Sequence, residues 1–153
     1  MTEFAIAPVR ESVEVALAPA EAFELFTVRI AEWWPYKTHF SRGLVETLVF
    51  EGHAGGRLRE VGADGVVVTY GEVVAWDPPN RVVIKWMVAP ELGPPTEVEV
   101  RFMPTARGCR LELEHRGFEA YGDEEGRHQR DSYAGGWPGV LRLFAEHASL
   151  SDR

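Results

Sequence analysis

The sequence predicts an α+β fold: a curved antiparallel sheet of about seven strands wrapped around one long C-terminal helix, with two short helices after the first strand. Two observations carry this prediction. Between residues 44 and 118 apolar and polar residues alternate through six successive segments joined by short turns. From Asp123 the period lengthens, and Tyr133, Trp137, Leu141, Phe144 and Ala148 recur at steps of three or four, which is the spacing of one helix face. A sheet with one apolar face and a helix with one apolar stripe bury those surfaces against each other.

Each element has its own local reason. The stretch "ESVEVAL" places Val13, Val15 and Leu17 on one face of a strand. In "APAEAFELFTVRIAEWW", Pro19 suits a first helical position and Glu21 the first turn, while Ala22, Phe23, Phe26 and Ile30 follow helical spacing. This helix is expected to break near Thr27, resume for one turn and stop before Pro35. The strands "LVETLVF", "GRLREV", "VVVTYGEVVAW", "RVVIKWMVA", "TEVEVRFMP" and "CRLELEHRGF" come next, joined by "GHAGG", "GADG", "DPPN", "ELGPP" and "TARG". Such connections are too short for a parallel crossover, so the strands form an antiparallel meander.

Strand parity sorts the faces. Ile84, Trp86 and Val88 oppose Lys85 and Met87; Val98, Val100 and Phe102 oppose Glu97, Glu99 and Arg101; Leu111, Leu113 and His115 oppose Arg110, Glu112 and Glu114. One face is therefore apolar and the other wet. The double glycine of "GHAGGRL" is expected to curve the sheet. In the last helix, Gly135, Gly136 and Pro138 are expected to mark a kink and let the helix approach the sheet while Trp137 points inward, since Pro138 cannot donate to Ala134.

Composition bounds the function classes. A chain of 153 residues fits one domain, spanning 1–153, and no repeat or low-complexity tract divides it. The single cysteine, Cys109, excludes an internal disulfide and a multi-cysteine zinc site, and suits a reducing, cytoplasmic setting. "MTEFAIAPVRESVEV" has no signal-peptide pattern, and no uncharged apolar run of membrane-spanning length follows, so neither export nor membrane insertion is expected. Asp and Glu outnumber Lys and Arg by 24 to 16, a net charge of -8 that repels phosphate backbones and argues against a nucleic-acid partner.

The chemistry-bearing motifs are sparse. His39, His53, His115, His128 and His147 lack zinc-site spacing, and no metal or other cofactor is expected. There is no G-x-S-x-G elbow, and Cys109 sits beside a turn with no base next to it in sequence. What stands out is aromatic content, with five tryptophans. Trp33, Trp34, Phe40, Phe50, Trp86, Phe102, Tyr133 and Trp137, with Leu141, lie on elements that the fold brings together. Such rings either fill the core or line a ligand cavity with apolar walls and a few polar anchors. His115, inward by parity, and Arg130, one helical step before Tyr133, are the candidate anchors. Facing the cavity, Arg130 would favour an anionic or carbonyl-bearing ligand through its planar fork of donors. His39 falls near the expected cavity mouth.

The element order is that of the helix-grip fold. "APAEAFELFT", "EWWP", "GGRLRE", "GEVVAWDPPNRVVIKW", "CRLELEHRGF" and "GGWPGVLRLFAEH", in this order from about Val9 to Ala148, resemble the family homologous to the C-terminal domain of the activator of Hsp90 ATPase. That family belongs to the START and Bet v 1-like superfamily. The resemblance implies a cavity between the curved sheet and the long helix that holds an apolar or aromatic small molecule. Two alternatives accompany it: a chaperone-associated interaction module like the family's namesake, and a cyclase- or hydrolase-like enzyme using the same cavity with His115 as acid or base. Fold does not choose among them.

Overall fold

The computed structural model describes residues 5–34, 45–87 and 93–151. Its elements are β1 (Val9–Val15), α1 (Pro19–Phe26), a 3-10 turn (Ile30–Glu32), β2 (Val45–Phe50), β3 (Arg57–Gly62), β4 (Val67–Asp77), β5 (Arg81–Trp86), β6 (Thr96–Pro104), β7 (Cys109–Arg116), a second 3-10 turn (Phe118–Tyr121) and α2 (Asp123–Ser151). The seven strands form one antiparallel sheet in the order β1-β7-β6-β5-β4-β3-β2. This is the expected meander, curled into a half-barrel against α2 in the helix-grip arrangement.

The local signals act as anticipated. Pro19 opens α1, Glu21 lies in its first turn, and Ala22, Phe23, Leu25 and Phe26 are buried. The break falls at Thr27, whose hydroxyl donates to the Phe23 carbonyl at 2.7 Å, an alternative to continuing the helical ladder. Parity holds in β6 and β7: Val98, Val100, Phe102, Leu111, Leu113 and His115 are all buried on the inner face. In α2, Asp123, Glu124 and Glu125 occupy the first turn, where the helix dipole favours negative charge. None of the described helices is long and apolar enough to cross a membrane.

Two local expectations change. Helix α2 runs continuously through Pro138, but Gly135 and Gly136 do not serve a close approach, because a Cβ at either would meet nothing within 4 Å. Contact with the rest of the chain is tight one end earlier, at Gly126, where a Cβ would collide with the Phe118 carbonyl and the Ile6 side chain. The pair Gly55–Gly56 closes the β2–β3 hairpin and docks it on β4, through Gly55 N–H to Val73 O at 2.9 Å and Val73 N–H to Gly56 O at 2.8 Å. The register shifts lie elsewhere, between Val45 and Thr47, between Leu58 and Arg59 and between Val73 and Ala75.

The wet face is more ordered than alternation implies. Glu99, assigned to solvent by parity, is only 5% exposed. Its carboxylate accepts from Arg81 Nη1 and Arg101 Nε, each at 3.0 Å, and from Arg116 Nη1 at 2.7 Å. Burial alone would raise the Glu99 carboxyl, but these donors outweigh it and hold the pKa at about 2.

Candidate functional site

Three adjacent strands build one wall. Antiparallel register sets Trp86 of β5 opposite Thr96 of β6, and Val98 of β6 opposite His115 of β7. Helix α2 lays Tyr133, Trp137 and Leu141 over this wall at successive helical steps, with Trp137 and Leu141 buried and Tyr133 partly so. Trp34, just past the first 3-10 turn, completes the group, with its ring centroid 6.5 Å from Trp86 and 6.4 Å from Trp137. Tyr70 of β4 lies 5.9 Å from Trp34 and 6.0 Å from Trp86. Phe118 packs on the His115 ring at 4.7 Å. Most of these pairs meet edge-on or tilted, the arrangement aromatic quadrupoles favour.

Polar atoms are concentrated among these rings. Trp86 Nε1–H donates to the Tyr133 hydroxyl at 3.1 Å, and burial pushes the Tyr133 phenol up. Trp137 Nε1–H donates to His115 Nδ1 at 3.0 Å. Nδ1 is therefore the acceptor, Nε2 carries the proton, and Nε2–H donates to Thr96 Oγ1 at 2.7 Å. The Tyr70 hydroxyl donates to Glu60 Oε1 at 2.6 Å, and both residues are fully buried. Against this satisfied background, Trp34 Nε1–H is buried and has no hydrogen-bond partner among the described residues.

The residues singled out from sequence therefore separate into groups. Trp34, Trp86, His115, Tyr133 and Trp137 come together, and Leu141 joins the same buried core. Trp33, Phe50 and Phe102 belong to a second, nearly hydrocarbon cluster beneath α1: Trp33 touches Phe26 and Phe144, Phe102 touches Phe23 and Phe26, and Phe50 touches Trp76. Trp33 and Trp34, 5.8 Å apart, join the two clusters. Phe40 and His39 lie outside the described residues.

Arg130 requires a correction. Its guanidinium does not enter the aromatic cluster but reaches the backbone ahead of β1, with Nε 3.1 Å from Ala7 O and Nη2 3.4 Å from Pro8 O. These two carbonyls lie just ahead of β1, so the fork of donors clips the N-terminal segment to α2. Conversely, Glu60, Tyr70 and Thr96, which strand parity did not single out, are buried here. The signal for Glu60 was present in "GRLREV", where it alternates in phase with buried Leu58.

The geometry also limits the available chemistry. Burial drives the pKa of His115 from 6.5 to about 3, and both ring nitrogens are already engaged, so the imidazole is a poor base near neutral pH. Burial likewise pushes the Cys109 thiol up, away from the reactive thiolate. Among the described residues no three His, Cys, Asp or Glu side chains are grouped to hold a metal. A groove of about 460 Å³ lies on the opposite face of the sheet, lined by Arg10, Glu99, Arg101, Arg110 and Glu114 among others. Its charged groups are largely paired with one another, Arg10 with Glu114, Arg101 with Glu99 and Arg110 with Glu112.

Comparison with known proteins agrees with this architecture. A family model for activator of Hsp90 ATPase homolog 1-like protein matches residues 16–149. The chain belongs to that family. Solved structures similar to this member of the activator of Hsp90 ATPase homolog 1-like family include an anthrahydroquino-γ-pyrone synthase, Txn09, at 34% identity and TM-score 0.63, covering 93% of this chain and 97% of that one. The self-sacrificing resistance protein CalC from Micromonospora echinospora matches at 26% identity and TM-score 0.70, over 93% and 94% of the two chains. Protein MLL2253 from Mesorhizobium loti, at 20% identity and TM-score 0.67 over 91% and 94%, shares the fold. No curated protein matches this family member.

Proposed function

We propose that this protein binds an apolar or aromatic small molecule between the sheet and α2, against Trp34, Trp86, Tyr133 and Trp137. The observation that carries this reading is the cluster itself, in which tryptophan and tyrosine rings from β5, α2 and the segment after the first 3-10 turn meet around a few polar atoms. Broad apolar walls with sparse polar anchors are the usual lining of a small-molecule site. The likeness to a synthase of an anthrahydroquino-γ-pyrone, at 34% identity, supports a planar, polycyclic ligand class. Buried rings favour a small molecule over a chaperone, which would need an accessible patch. A catalytic role for His115 draws no support from its two satisfied nitrogens.

Titration calorimetry with neutral tricyclic aromatics, with and without ring oxygens, tests this reading. The expected result is saturable one-to-one binding that weakens about tenfold in Trp86→Leu, the loss of one aromatic contact in a desolvated site. No binding by any of them, or equal binding by wild type and variant, would contradict it.

A further inference from the structure

The orphan donor at Trp34 specifies more than shape. Of the buried indole N–H groups, Trp33 donates to Leu25 O at 2.8 Å, Trp86 to Tyr133 at 3.1 Å and Trp137 to His115 at 3.0 Å. Trp34 is only 6% exposed, yet among the described residues its Nε1–H meets no acceptor. Buried indoles ordinarily find a partner, and an unmet buried donor is costly because it has given up water for nothing. The same donor, held by close rings, is already oriented for an acceptor that arrives with a ligand.

We propose that the bound molecule carries a neutral oxygen acceptor, a ring carbonyl or quinone-type oxygen, which accepts a hydrogen bond from Trp34 Nε1–H. This rests on the reading of the aromatic cluster as the binding site. The surroundings select the class. Trp33, Tyr70, Trp86 and Trp137 flank the Trp34 ring at centroid distances of 5.8, 5.9, 6.5 and 6.4 Å, so the acceptor belongs to a flat ring system that can lie along aromatic faces. A hydrocarbon of the same outline would leave the donor unmet. An anionic ligand is disfavoured, because a negative charge in this buried aromatic interior would be desolvated.

Xanthone and xanthene share a three-ring skeleton and differ by one carbonyl, which makes them the matched probes. Equilibrium dialysis of the full chain is expected to show xanthone bound about tenfold more tightly than xanthene, the scale of one hydrogen bond to a buried donor. Trp34→Phe is expected to abolish that preference by weakening xanthone alone. In wild type, the assigned Trp34 indole proton signal is expected to move downfield with xanthone and not with xanthene, a readout that does not depend on the variant folding. A retained xanthone preference in Trp34→Phe, or an unmoved Trp34 indole signal in the bound state, would overturn the acceptor inference while leaving the binding site standing. Binding of neither probe would overturn both.

Discussion

The indole of Trp137 on α2 donates to Nδ1 of His115 on β7 at 3.0 Å. Through His115 Nε2 and Thr96 Oγ1, 2.7 Å apart, that single contact extends to β6, so one chain of hydrogen bonds ties the long helix to two strands. Trp137→Phe keeps most of the ring but leaves the Nδ1 lone pair unmet. It is expected to lower stability by about 1–3 kcal/mol, measured by urea unfolding at pH 7. An unchanged midpoint and slope would mean that the contact contributes nothing net.

The same histidine sets a pH dependence with a definite sign. Folding keeps His115 neutral, with its pKa lowered by burial from 6.5 to about 3, whereas the unfolded chain takes up a proton near the ordinary value. Between these limits the unfolded state binds more protons, so stability rises with pH by about 1.4 kcal/mol per unit. The contribution is complete above 6.5 and is lost as pH falls toward 3. Unfolded carboxylates, half protonated at about 4.5, begin to take up protons about one unit above that value, which leaves about pH 5.5 to 6.5 as the window for His115. His115→Gln is expected to flatten the stability profile in that window. A slope equal to that of wild type would assign the proton uptake elsewhere.

Glu99 acts in the opposite structural layer. Although burial opposes its charge, hydrogen bonds from Arg116, Arg101 and Arg81 hold its pKa at about 2. Its stabilising contribution is therefore present above the unfolded value and lost as pH falls through about 2. Glu99→Gln preserves the volume and removes the charge that three guanidinium groups share. The expected cost at pH 7 is about 1–3 kcal/mol, typical of charged hydrogen bonds, narrowing at pH 3 in chemical denaturation. An equal gap at both pH values would indicate a packing effect only.

The glycines of α2 separate cleanly in their demands. Gly136 faces open space, so Gly136→Ala is expected to raise stability by about 0.5–1 kcal/mol through helix propensity. Gly126 touches the Phe118 carbonyl and Ile6, so Gly126→Ala is expected to destabilise despite the same propensity gain. Thermal unfolding of the two variants checks the contrast, and a shift of the same sign in both would refute it.

Much of this architecture was legible because its signals are local. Alternation with period two, and turns as short as "GADG", leave an antiparallel meander as the solution, and the Tyr133–Trp137–Leu141 stripe fixes the buried face of α2. His115 followed from parity with Leu111 and Leu113. Arg130 did not follow, because helical phase gives a direction around the axis but not what lies beyond the sheet edge, where Ala7 and Pro8 offer carbonyls. The division of the aromatic residues into a hydrocarbon cluster and a polar one depended on which rings touch, a tertiary property that no spacing encodes. Tyr70 is the extra residue where β3 and β4 slip register between Leu58 and Arg59, and such a slip interrupts the alternation that parity relies on; Glu60 keeps phase with Leu58, but a carboxylate reads as solvent-facing by type.

The central claim is that an aromatic molecule binds inside the sheet against Trp34, Trp86, Tyr133 and Trp137. The most direct measurement is a set of intermolecular NOEs from xanthone ring protons to assigned side chains of the saturated protein. The account predicts NOEs to the rings of Trp34, Trp86 and Trp137 and none to Arg101 or Arg110 on the outer face. NOEs confined to that charged outer face would contradict it.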